Sequence, residues 1–230
     1  MIDPALFYLL QITDSSFPIG AFSHSYGLET YTQQGLVNDE QSSRLFLENT
    51  LTYNTLFNDA AFVAWAFRYG EANDLHSLLL LDREVSALKA AVEIRTASKK
   101  LAIRFLKLID VFVVDHPVLS AYADAIFNQK TDGNFALVFG LYCQQAGISL
   151  ENTLTAFYYN TASGIVTNCA KLIPLSQMTG QKLLFNAQPL IAELVMITLG
   201  LDRGEIGRST PEFDLKSMQH QNLYSRLYMS

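Results

Sequence analysis

The stretch SFPIGAFSHSYGLET, residues 16–30, gathers side chains that do chemistry elsewhere: Ser23 beside His24, then Ser25 and Glu29. A serine, a histidine and an acid make a hydrolytic nucleophile when the histidine can take the serine proton and the acid can orient the histidine. The spacing argues against that use. A nucleophile elbow needs GxSxG, because glycines permit its strained turn. Ser23 is instead flanked by Ala21-Phe22 and His24-Ser25. Adjacent residues on a helix point about 100° apart, so Ser23 and His24 would not meet locally. A turn feeding a helix explains the same residues. Pro18 presets a turn angle, Gly20 permits a left-handed angle or a close approach, and Ser23 or Ser25 can cap a helix running to about Gln34. Glu29 near that helix start suits the macrodipole. Gly27 in the first turn costs about 1 kcal/mol against alanine, which points to another backbone packed close and to a contact surface.

Other chemistry is missing. The sequence holds no GxxxxGK[ST] phosphate loop, no GxGxxG after a strand, no HExxH and no CxxC. His24, His76, His116 and His220 stand singly, with no pair one helical turn apart, so each reads as a surface or packing residue. Cys143 and Cys169 read as small buried apolar residues. No catalytic residue and no metal ligand is expected.

The positioning elements follow from the bulk properties. The 230-residue chain is 50% hydrophobic, 12% aromatic and 17% charged, against about 25% charged in an average globular chain. A chain so poor in charge leaves apolar surface for partners. A net charge of −6 argues against nucleic acid. The N-terminus MIDPALFYLL lacks a basic n-region. The apolar run 190–201 is interrupted by Glu193 and falls short of the ~18 residues of a membrane span. The expectation is a cytoplasmic protein with no membrane partner.

Helical periodicity runs through the chain. Asp39 precedes one segment, and a second, around Ala60–Phe67, is expected to stop at Gly70. Residues 84–110 read as one helix, broken at Asp115-His116-Pro117, with Pro117 opening the next. Asn134 can cap a helix to Gln145, and Ser149 a long one to about Leu172, ended by Pro174. Two further stretches lie near 180–186 and 189–201. No strand pairs with hairpin turns occur. The expected fold is all-α, a single globular domain of about nine or ten helices over 1–201. Residues 202–230 read as a flexible loop and a C-terminal partner-docking tail.

Three stretches, taken together, resemble the UreF family of urease accessory proteins: LLQITDSSFPIGAFSHSYGLE (9–29), AKLIPLSQMTGQKLL (170–184) and HQNLYSRLYMS (220–230). A weaker likeness lies between Arg95 and Leu106. The chain departs from the family pattern at Ser176, where glycine is usual, and at Ile94 and Lys100. The resemblance implies an all-helical homodimer without enzymatic activity. It implies assembly with UreD (UreH in some systems), the GTPase UreG and urease apoprotein, in a complex that delivers nickel to the urease active site with GTP. It implies no stably bound cofactor, nickel being handled by the complex. Phe17, Pro18, Gly20, Ser23, His24, Ser25, Gly27 and Glu29 are then a partner-facing cluster, which turn formation and packing would also explain. Lys171, Pro174, Gln177 and Gly180 are a helix end with a turn or part of an interface. Tyr224, Arg226 and Tyr228 are of interface type, since tyrosine and arginine are enriched at hot spots. The rival readings are a helical enzyme and a structural helical subunit or GTPase regulator of another complex.

Overall fold

A computed structural model describes residues 4–20, 24–110 and 116–229. Its elements are helices: α1 (Pro4–Thr13), α2 (Leu28–Gln33), α3 (Glu40–Asn49), α4 (Ala61–Glu71), α5 (Leu75–Leu88), α6 (Val92–Ile109), α7 (Pro117–Phe127), α8 (Phe135–Gln145), α9 (Leu150–Leu172), α10 (Gln177–Leu199) and α11 (Pro211–Gln219). No strand occurs among the described residues.

The caps explain several helix starts. Asp39 and Ser42 form a reciprocal capping box at α3. Asp74 accepts from the Ser77 amide at 2.9 Å, Asn134 from Ala136 at 3.0 Å, Ser149 from Asn152 at 3.2 Å and Ser176 from Thr179 at 3.0 Å. Pro117 and Pro211 sit in the first turns of α7 and α11.

The core is built around α8, buried continuously from Ala136 to Cys143. It packs on α4, whose Phe62, Val63, Ala66 and Phe67 are buried. Gly140 lies directly against the Val63 backbone, which sets how closely these two helices cross. Phe105 of α6 sits among Phe17, Phe135 and Tyr142, with ring centroids 5.8, 5.7 and 5.5 Å away. α9 and α10 form a second long pair, joined by a short turn and tied by the buried Tyr158 Oη–Thr198 Oγ1 contact at 2.8 Å.

The structure differs from the periodicity reading in four places. The chain stays helical from Glu40 to Glu71, because a π-wound stretch, Thr50–Ala60, links α3 to α4. Its wider turn shifts the buried face, keeping Leu51, Leu56 and Ala60 inside. Gly70 lies within α4; a Cβ there would come within 2.7 Å of Leu141 Cδ1, so this glycine serves packing and not helix termination. The segment read as one helix over 84–110 is two, α5 and α6. The break at Lys89–Ala91 has no glycine or proline; Lys89 Nζ reaches Asp59 Oδ1 at 2.7 Å and the Lys89 carbonyl accepts from Arg95 Nη1 at 2.8 Å. The two late stretches are one helix, α10, with Pro189 inside it. Burial of Leu183, Leu184, Ile191, Leu194 and Val195 outweighs the lost proline hydrogen bond. By length and composition α10 would reach across a membrane, a description that a core helix also meets; here 39% of its most apolar window is buried in the protein.

Candidate partner-docking site

The opening segment is a run of turns held by its neighbours. Phe17 is buried in the Phe105 cluster, whereas Pro18 is exposed. Gly20 has φ +80°, and a Cβ on it would collide with the Arg104 guanidinium, whose Nη1 donates to the Ile19 carbonyl at 3.3 Å. Ser23 lies outside the described residues. His24 is buried, and its carbonyl accepts from Asn168 Nδ2 at 2.9 Å. Burial, followed by the nearby charges of Lys100 and Arg104, holds the His24 imidazole below its ordinary value. Tyr26 takes the left-handed conformation at φ 53°, and burial pushes its phenol well up, with the Asp59 charge adding to the shift.

The helix start falls later than the sequence implies. Gly27, at φ 86°, is the N-cap of α2, and the Glu29 amide lies 3.5 Å from Ser25 Oγ. A Cβ on Gly27 would come within 2.8 Å of Ser217 Oγ of α11. The close neighbour expected from this glycine is therefore α11.

Glu29 is the centre of the site. The residue is 3% exposed. Oε1 accepts from the Leu227 amide at 2.7 Å, and Oε2 accepts from the Tyr228 amide at 3.1 Å. Oε2 also lies 3.0 Å from His220 Nε2. His220 is fully buried, and its Nδ1 lies 2.7 Å from Glu93 Oε2 at the start of α6. Arg226 Nη1 donates to Glu93 Oε1 at 2.8 Å. This chain of groups fastens the C-terminal segment to the opening turn and to α6. Beside it, Tyr224 is fully exposed and Leu227 and Met229 are largely so, while Tyr228 is buried.

The structure thus joins two of the three sequence clusters. The third stands behind them. Lys171, Pro174 and Gln177 are exposed, and Gly180 is buried with Val166 Cγ1 3.2 Å from a Cβ built on it. Ile173 of this turn shares a small core with Leu28, Val37, Phe46 and Cys169, the link from the α9–α10 turn to α2. Sequence reasoning passed over Glu93 and read His220 as a lone surface or packing residue. No local spacing could reveal them, since Glu29 and His220 are 191 positions apart.

Two hollows beside Glu93 measure about 130 and 210 Å³, below the ~300–1,000 Å³ usual for ligand pockets. The first is lined by His24, Lys100 and Met229, the second by Ser217, Met218 and Gln221. Among the described residues no three His, Cys, Asp or Glu side chains are grouped to hold a metal ion. What the arrangement provides is a face of exposed tail residues on a rigidly tied turn.

Comparison with known proteins decides the family. The UreF family model matches residues 37–188. The chain belongs to the UreF family of urease accessory proteins. It is 43% identical over 222 residues to the urease accessory protein UreF of Actinobacillus pleuropneumoniae serotype 5b, covering 96% of this chain and 97% of that one. It is 40% identical to the protein of the same name from Haemophilus influenzae, over 96% and 94% of the two chains. It is 31% identical to that of Bacillus sp. strain TB-90, over 98% and 99%. The UreF family model stops short of the opening cluster and the tail, but these relatives match over nearly their whole length.

Proposed function

We propose that this UreF-family chain is a non-enzymatic cytoplasmic adaptor, working as a homodimer. With UreD (UreH) and the GTPase UreG it assembles on urease apoprotein and supports GTP-dependent nickel delivery. The observation that carries the reading is family membership along nearly the full chain. The geometry supports it: the opening segment and the tail are tied into one face through Glu29, and a single composite face suits recognition better than two loose segments. Exposed Leu6, Phe7 and Leu10 on α1, and Met178, Phe185 and Met196 on α10, supply further apolar surface for several partners. Coupling to a GTPase needs only different affinities for its two nucleotide states.

The test is co-expression with UreD and UreG from the same organism, followed by size-exclusion chromatography with and without GTP and nickel. Co-elution in one complex supports the adaptor reading; elution of the folded chain alone, beside folded partners under every condition, overturns it. Tyr224 is the sharpest probe, because its side chain is fully exposed. Tyr224→Ala is expected to weaken binding of UreD at least tenfold, a loss of about 1.4 kcal/mol, with an unchanged melting temperature.

A further inference from the structure

We propose that the outward face of α6 docks an extended, carboxylate-rich segment of a partner protein: Lys100, Arg104 and Lys107 take its acids, and the hollow beside Lys100 takes one apolar side chain. The proposal rests on the surface of this chain and stands whether or not the partners named above are the right ones.

Charge distribution carries the first step. The chain has a net charge of −6, yet five of its 16 lysines and arginines fall in the 18 residues of α6, beside a single acid, Glu93. The fold uses two of the five internally. Lys99 pairs with Asp132 at 2.7 Å, and Arg95 donates to the Lys89 carbonyl at 2.8 Å. Lys100, Arg104 and Lys107 are exposed and stand at i, i+4 and i+7, one above the other on one side of the helix. Among the described residues no carboxylate lies within ion-pair distance of these three. Like charges at such spacings work against the helix, and a row of carboxylates laid along them relieves that repulsion. The acids nearest the row in sequence are Glu93 before it and Asp110 after it, and both Glu93 oxygens are already engaged, by Arg226 and His220.

The row is also held in place. Arg104 Nη1 donates to the Ile19 carbonyl at 3.3 Å, so the opening turn orients its guanidinium. The positive field is local and real at His24, where Lys100 and Arg104 add to burial in holding the imidazole below its ordinary value. At the Lys100 end lies the hollow of about 130 Å³, with Val92, Ala97 and Met229 among its walls. Val92 and Met229 are 59% and 58% exposed, so apolar surface meets the cationic row in the open. The hollow suits one aliphatic side chain.

Spacing selects the shape of the occupant. Successive cations on α6 are about 4.5–6 Å apart along the helix axis, and alternate residues of an extended segment advance about 6.6 Å. Acids at every second position therefore meet the row in turn, with the apolar anchor at the end over the hollow. Nucleic acid fits less well. Its backbone has no aliphatic side chain for the hollow, and the net negative charge of the chain opposes it.

The experiment titrates two probes into the full-length chain labelled with ¹⁵N. One is a synthetic peptide of a leucine followed by alternating glutamate and alanine; the other is a single-stranded DNA oligonucleotide of equal charge. The peptide is expected to shift the amides of Thr96, Lys100, Arg104, Lys107 and Met229, with affinity falling at least tenfold from about 50 to about 300 mM salt. Lys100→Glu combined with Lys107→Glu is expected to weaken binding at least tenfold at an unchanged melting temperature. Lys130→Glu combined with Lys182→Glu makes the same change in net charge on other faces and is expected to leave binding within twofold. Glycine in place of the peptide leucine is expected to weaken binding at least threefold. No binding, shifts spread over other faces, equal loss in the two lysine pairs, equal affinity without the leucine, or tighter binding of the oligonucleotide each overturns the proposal. If the Lys100 and Lys107 pair does not fold, the wild-type shift map and the leucine comparison decide.

Discussion

At Gly27 the absence of a side chain decides where α2 can begin. Its φ of +86° and the nearby Ser217 both resist a Cβ. Gly27→Ala is expected to destabilise the chain by about 1–3 kcal/mol, measured as a lower urea midpoint with unchanged slope; a shift within error would remove the strain argument. His24 gives a prediction about pH. Its imidazole is held below the ordinary value by burial and by Lys100 and Arg104, so between the folded value and the unfolded ~6.5 the unfolded chain binds more protons. That contribution is fully present above the unfolded value and is lost as acidification carries pH down to the folded one. Equilibrium unfolding from about pH 7.5 to about pH 5 should show the loss in the wild type and a shallower one in His24→Gln. At this scale the sequence marked Gly27 as out of place, since glycine in a first helical turn costs about 1 kcal/mol against alanine, and read Gly20 as a turn residue and Glu29 as a well-placed first-turn acid. It could not mark Glu93 or His220, whose meaning comes from neighbours far away in the chain.

Among elements, the α4–α8 crossing sets the core. Gly140 is needed because the Val63 backbone lies against it. Gly140→Ala raises intrinsic helix propensity by about 1 kcal/mol, yet is expected to destabilise by about 1–3 kcal/mol through overpacking. Thermal melting checks the sign: a higher melting temperature would mean that the crossing is looser than these contacts show. Helix starts at Asp39, Pro117, Asn134 and Ser149 were legible in the sequence because capping is local chemistry. The break between α5 and α6 and the passage of α10 through Pro189 were not legible. The first coincides with the distant Asp59 contact, and the second is held by burial along α10.

For the whole molecule, the tail closes over the opening turn as part of the fold. A chain ending at His220 loses the two tail amides bound to Glu29 and the Arg226 contact to Glu93. It is expected to lose about 1–3 kcal/mol and to show faster exchange at 24–31, while far-UV circular dichroism retains the signal of α4, α8, α9 and α10. Loss of helix throughout would show that the core depends on the tail. Loss of partner binding on truncation would therefore combine missing contacts with a loosened turn, and Tyr224→Ala separates the two.

The sequence by itself determined the helical class, the punctuation of many helices and the family. Periodicity and capping act over a few residues, and the matching stretches are written in order along the chain. Only the tertiary structure decided that residues 17–29 and 220–229 form one site, with Glu29 and His220 at its centre. A buried carboxylate must find donors wherever the fold brings them, and for Glu29 those donors come from the far end of the chain.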